Sequence, residues 1–299
     1  MNAKILVSTD FSEASYDAMR LAHDIAKNDR ATLALIHVVP HLATAADQSI
    51  LDWLRDKAPK AAEMEKLTRE TLAGKVAELQ AEGLQVESYL EEGEPHAAIV
   101  RRAEEAQATL VVVGSHGRTG LKRMLLGSVA EQVVRYAHTP VLVARSGPME
   151  GPVVTGTDLS EAARPGLVEA ARLAAASKSE LVVLHVVNMG WFGRAAVGVT
   201  ASALSTAMND TAAFKEAREA VDAEIKAATE GLDVNVTAEV VAGDPAVVLV
   251  ERAEAVKARL VVTSTHGRTG LKRALLGSVA ERVVRLASTS VLVFRGVQS

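Results

Sequence analysis

Cysteine is absent from the 299-residue chain, which excludes disulfides, thiol nucleophiles and Cys-ligated metal sites. Aromatic residues make up only 3%, too few for a platform on which nucleobases stack. No apolar run approaches the roughly 20 residues a helix needs to cross a bilayer. Neither sign of charge dominates. The 33 Lys and Arg against 37 Asp and Glu leave a net charge of −4, so the footprint of a nucleic-acid binder is missing. Met1-Asn2-Ala3-Lys4 leads directly into an apolar run with no signal-peptide h-region. With the lack of cysteine, this predicts a cytoplasmic protein without a membrane span. Hydrophobic residues at 48% and charged residues at 23% suit a globular fold, and the length predicts about two domains.

What the chain does have is a repetition. HGRTGLKRMLLGSVAEQVVR spans 116–135 and HGRTGLKRALLGSVAERVVR spans 266–285, differing only at Met124/Ala274 and Gln132/Arg282. Copies about 150 residues apart imply a duplicated domain.

The first half reads as a strand over 4–7, then Thr9-Asp10-Phe11-Ser12. Ser12 is placed to cap a helix whose apolar face is Met19, Leu21, Ala22 and Ile25. A strand over 31–39 follows, then an amphipathic stretch over 49–82 that Pro59 and Gly74 are expected to bend or split. Further on come a strand over 84–90, a helix from Gly93-Glu94-Pro95 to 106, a strand ending at Gly114, a helix over 128–137 and a strand over 141–144. The second half retraces the order, with strands at 153–157, 181–187, 234–241 and 260–262 and a helix over 205–230. Turn-forming residues at 146–152 set the domains at 1–147 and 151–299.

Strands alternating with helices predict an α/β fold, a parallel sheet covered on both faces. Ligands of such sheets bind beyond the strand C-termini, at the switch point. Asp10, Val38 and Gly114 converge there in the first half, as do Asp158, Val186 and Ser264 in the second. The glycine pattern Gly114-x2-Gly117-x9-Gly127-Ser128 combines a tight turn with main-chain amides open to close approach. Gly127-Ser128 opens a helix whose first N–H groups and dipole favour an anion. A few charge-assisted hydrogen bonds at about 1.5–3 kcal/mol each reach micromolar binding, about 8 kcal/mol. The loop is neither GxxxxGK[ST] nor GxGxxG.

Taken together, these motifs resemble the universal stress protein family, in two tandem copies covering essentially the whole chain. The resemblance implies two Rossmann-like domains, each a five-stranded parallel sheet of order 3-2-1-4-5. It implies that ATP, or AMP or ADP, is bound, with Mg2+ as a companion ion. Asp10 would receive the adenine or ribose end, and Val38 would meet adenine through its backbone. Gly114, His116, Gly117, Gly127 and Ser128 would surround ribose and phosphates. The matching positions are Asp158, Val186, Ser264, His266, Gly267, Gly277 and Ser278. The family habit of pairing final strands implies an intrachain pseudo-dimer, and a homodimer of the whole chain stays open. Ser264 departs from the motif's first glycine. A side chain there, strained if φ is positive, predicts a weaker second site.

Plainer roles compete with these. Asp10 and Asp158 can serve as turn or capping residues, and Ser128 and Ser278 as N-caps. His37 and His185, inside apolar strands, read as core or crevice wall. His116 and His266 have no evident carboxylate or nucleophile partner, which favours a loop or ligand contact over catalysis. Arg118, Lys122, Arg123, Arg268, Lys272 and Arg273 either offset phosphate charge or form a solvated basic loop. The leading function is a cytoplasmic stress-response protein whose nucleotide occupancy is regulatory. A slow ATPase or self-phosphorylating enzyme, using Thr119, Ser128, Thr269 or Ser278, is the second, and a nucleotide-independent scaffold the third.

Overall fold

The computed structural model describes residues 3–39, 48–117, 126–187, 211–265 and 276–295, and within these leaves the side chains of 48–62 and 213 undescribed. The first half runs β1 (Lys4–Ser8), α1 (Glu13–Asp29), β2 (Thr32–Val39), α2 (Gln48–Ala81), β3 (Val86–Glu92), α3 (Pro95–Glu105), β4 (Leu110–Gly114), α4 (Ser128–Tyr136) and β5 (Val141–Ala144). The second runs β6 (Val153–Thr157), α5 (Arg164–Ala176), β7 (Leu181–Val187), α6 (Ala212–Ala228), β8 (Val236–Ala242), α7 (Pro245–Ala255), β9 (Leu260–Ser264), α8 (Ser278–Leu286) and β10 (Ser290–Phe294).

Central strands are apolar on both faces because both faces are covered. Along β1, Leu6 packs with Ile36, Val111, Val113 and Val133 on one side. Its neighbours Ile5 and Val7 pack with Met19, Leu33, Leu35 and Val112 on the other. Each half has the expected α/β arrangement, in the orders β3-β2-β1-β4-β5 and β8-β7-β6-β9-β10. Within each half every strand pair is parallel.

Three expectations need correction. First, α2 is one 34-residue helix through Pro59 and Gly74. A Cβ at Gly74 would meet nothing within 4 Å, so that glycine costs only its flexibility, about 1 kcal/mol. Buried Leu72 and Leu79 outweigh that, each contributing about 1.5–3 kcal/mol. Second, β3 starts two residues late because Gly83, at φ +90, turns the chain out of α2. It then extends through Glu91, whose carboxylate pairs with Arg101 and Arg102. Third, β9 continues to Ser264, where it pairs with Phe294. Of the helix expected over 205–230, residues 205–210 lie outside the described residues, and α6 covers Ala212–Ala228.

The halves meet where β5 and β10 pair antiparallel, with Val141 opposite Val293, Leu142 opposite Leu292 and Val143 opposite Val291. The ladder covers what would be two bare apolar edges and makes one ten-stranded sheet. Charged side chains cross beside it, Arg285 to Glu131 at 2.9 Å and Arg135 to Glu281 at 3.7 Å.

Candidate functional site

Beyond β1 and β6 the chain makes the same turn twice. Phe11 and Leu159 adopt φ 61 and 62, a left-handed conformation costing about 1–3 kcal/mol for a residue with a side chain. Two hydrogen bonds offset it in each half. The Phe11 and Ser12 N–H groups donate to Thr9 Oγ1 and Asp10 Oδ1, both at 3.0 Å. Leu159 and Ser160 do the same to Thr157 Oγ1 and Asp158 Oδ1, again at 3.0 Å. Ser12 caps α1 as expected, accepting from the Ser15 N–H at 3.3 Å.

Asp10 therefore serves the turn with one oxygen. Its other oxygen, Oδ2, lies 2.8 Å from where a Cβ on Gly117 would stand. That oxygen faces the loop after β4, and Gly117 leaves room beside it. The buried His37 Nδ1 sits 2.7 Å from the Thr9 carbonyl oxygen, a distance that calls for a proton on that nitrogen. Its ring stacks on Phe11 at 4.8 Å. His185 repeats the bond to Thr157 O at 2.9 Å. Both histidines brace the crevice wall.

Val38 presents its backbone for a geometric reason. The Ile36 carbonyl accepts from Thr9 N–H at 2.9 Å, towards β1, and the Val39 carbonyl accepts from Gly93 N–H at 3.0 Å, towards β3. Strand periodicity turns the Val38 peptide groups to the β1 side, where β1 has already left the sheet. Val186 holds the matching place, since the Val187 carbonyl accepts from Gly243 N–H at 3.2 Å.

At the end of β4, Ser115 N–H donates to Ala144 O at 3.0 Å and Gly127 N–H donates to Ser115 O at 2.7 Å. These bonds bring the start of α4 back against the end of β4. His116 lies at this base, half-buried, with Nδ1 3.0 Å from Ser115 Oγ. A Cβ on Gly127 would stand 3.2 Å from His116 Cα. Gly127 caps α4 without a side-chain bond, so the cap itself offers no side-chain acceptor to the first N–H groups, from Ser128 on. Gly277 and Ser278 repeat the arrangement, with Gly277 N–H donating to Thr265 O at 2.8 Å. His266 and Gly267 lie outside the described residues, as do Arg118, Thr119, Lys122, Arg123, Arg268, Thr269, Lys272 and Arg273.

Gly114 owes its identity to packing. A Cβ there would stand 2.8 Å from the backbone C and O of Ala14 in α1. Ser264 answers the same problem differently. Its φ is not among the positive values, so the strain considered for it is absent. Its hydroxyl points at α5 and donates to Ala163 O at 3.0 Å. Gly166 makes the space, since a Cβ there would stand 2.2 Å from Ser264 Oγ. Nothing in the sequence pattern alone tied Gly166 to Ser264. The turn also has a different prop in each half. Thr9 Oγ1 lies 3.1 Å from the buried Ser15 Oγ, whereas Thr157 Oγ1 donates to the buried Glu224 carboxylate at 2.7 Å. Lone polar positions in helical patterns gave no signal of either role.

Among the described residues, no group of three His, Asp or Glu is placed to hold a metal ion, and no helix is long and apolar enough to cross a membrane.

Two doubly wound α/β halves, each with its crevice at the point where strand order reverses, define a tandem protein of the doubly wound α/β class. The universal stress protein family model matches residues 1–145 and again 149–295. Universal stress protein Rv2623 of Mycobacterium tuberculosis is 32% identical over 97% of this chain and 96% of its own length. A universal stress protein of Mycolicibacterium smegmatis is 30% identical over 97% and 96%. The chain belongs to the universal stress protein family. A universal stress protein structure from Archaeoglobus fulgidus shares the fold, with a TM-score of 0.68 over 98% of both chains at 22% identity.

Proposed function

We propose that the chain binds an adenine nucleotide, ATP before ADP or AMP, in the crevice of its first half, and a second one in the crevice of its second half. The observation that carries this reading is the placement of Asp10 Oδ2 beside Gly117, whose nitrogen lies 3.9 Å from where a Cβ on Gly127, the N-cap of α4, would stand. The donors and acceptors suit an adenylate. A carboxylate oxygen accepts from a ribose hydroxyl, and the Val38 N–H and C=O complement the acceptor and donor on the adenine edge. The amides and positive end of α4 attract phosphate. Mg2+, where present, would travel with the phosphates and neutralise their charge.

Occupancy rather than turnover is the proposed output, in the cytoplasm. The two histidines that flank the turns each hold a main-chain carbonyl through Nδ1, which fixes their rings in the crevice wall. The β5–β10 ladder supports reading the chain as a pseudo-dimer with two such sites. Differential affinity of two states for the nucleotide would turn occupancy into a signal. Calorimetric titration with ATP, ADP and AMP, with and without Mg2+, tests the reading. We expect micromolar binding of ATP at the first site and a second binding event in the other half. No heat and no retention of labelled nucleotide at millimolar concentration would overturn it.

A further inference from the structure

We propose that each nucleotide-binding helix is positioned from the opposite half of the chain, α4 by Arg295 and α8 by Arg145. The inference rests on the binding reading above and adds residues that lie outside both crevices.

It follows from the direction of the strands. α4 ends at Tyr136 and the chain then enters β5 at Val141. Because β10 runs antiparallel to β5 with Val293 opposite Val141, the chain leaving β10 emerges beside the entry to β5. Arg295, the first residue after β10, therefore reaches the end of α4. The same geometry carries Arg145, the first residue after β5, to the end of α8.

The helix ends need what the arginines bring. The last four carbonyls of a helix have no donor within it. Here α4 leaves its helical path abruptly at Ala137, whose φ of −63 and ψ of 139 are extended. Ala137 N–H serves Val133 O at 2.9 Å. The next two carbonyls, Val134 O and Arg135 O, accept from Arg295 Nη2 at 3.0 and 2.9 Å. In α8, Ala287 N–H serves Val283 O at 2.9 Å, and Val284 O accepts from the buried Arg145 Nη2 at 2.6 Å. Burial pulls both guanidinium pKa values down from the ordinary arginine range, yet arginine keeps its charge in proteins. Each cation thus sits at the negative end of a helix whose positive end faces a proposed phosphate. At nine residues each, α4 and α8 are short enough that fixing one end fixes the aim of the other.

Hydrogen exchange read by mass spectrometry on the full chain tests this, because it follows α4 and α8 separately. The variants are Arg295→Met, Arg295→Lys and Arg145→Met, each without nucleotide and across an ATP titration. Without nucleotide, R295M should speed exchange in α4 about tenfold and leave α8 unchanged, and R145M should do the reverse. With ATP, R295M should raise the concentration that half-protects residues 126–130 by about three- to tenfold, and R295K should recover most of that loss. Equal acceleration in both helices, or faster exchange along β5 and β10, would overturn the proposal by showing that the seam had opened. An unchanged ATP midpoint in R295M would overturn it too. Wild-type chain that gains no protection from ATP would remove the binding reading, and the positioning role with it. The nucleotide-free arm would still report whether the arginines hold the helices.

Discussion

At the end of the fourth strand the two halves solve one packing problem in two ways. In the first, Gly114 removes the side chain so that α1 can pass within 2.8 Å of a would-be Cβ. In the second, Ser264 keeps a side chain and Gly166 retreats instead, where the first half has Ala18. The helix differs as well. α1 begins at Glu13, while α5 begins only at Arg164, with Pro165 in its first turn. Pro165 has no N–H to give to the carbonyl of Glu161, so the helical ladder starts later. The Ala163 carbonyl, which accepts from the Gly166 and Leu167 N–H groups at 3.1 and 3.3 Å, also accepts from the Ser264 hydroxyl at 3.0 Å. A motif glycine can therefore be a constraint of the neighbouring helix rather than of the ligand. Its loss does not by itself put a side chain in the crevice.

The largest effect should come from breaking the first solution. Gly114→Val forces a branched side chain into the Ala14 backbone and should cost about 3 kcal/mol, measured by chemical denaturation of the first transition. A double-mutant cycle sharpens the second solution. Gly166→Ala alone should cost about 2 kcal/mol through the collision with Ser264 Oγ, and adding Ser264→Gly should return at least about 1 kcal/mol of it. Additive costs would show that the two positions are independent.

The comparison extends to binding. Asp10→Ala removes a charged acceptor worth about 1.5–3 kcal/mol, so ATP affinity at the first site should fall about ten- to a hundredfold. Asp158→Ala should leave that site unchanged. Calorimetry on both variants reads the difference.

The smallest effect concerns one of the two differences in the repeated segment, Gln132 against Arg282. Arg282 Nη1 lies 2.6 Å from Asp244 Oδ2. Partial burial alone would raise the Asp244 pKa, but Arg282 and the Val247 and Ala246 amides together hold it below the ordinary 3.8. A depressed carboxyl stabilises the fold above that ordinary value and loses its contribution as pH falls through the lower folded one. Because the pair is about half-exposed, Arg282→Gln should cost at most about 0.5 kcal/mol at pH 7. The gap from wild type should close in melts below about pH 3.

Much of this architecture is legible in the residues because local signals agree with one another. Apolar runs set off by turns gave β5, β6 and β7 with their observed limits, and Ser12 followed by Glu13 gave the start of α1. Gly74 misled because the local cost of one glycine is smaller than what the burial of Leu72 and Leu79 contributes. In the site, Asp10, Val38 and Gly127 could be placed because their positions follow from where strands end. The Ser264–Gly166 fit, the Glu224 prop and the crossing arginines could not. Each joins residues about 70 to 160 positions apart, and only the folded sheet brings them together.

The antiparallel seam at Val141–Ala144 has one more consequence. All strands of the first half run with β5 and all strands of the second with β10. The two hollows therefore open at opposite ends of the sheet, back to back. Whatever covers one mouth leaves the other uncovered.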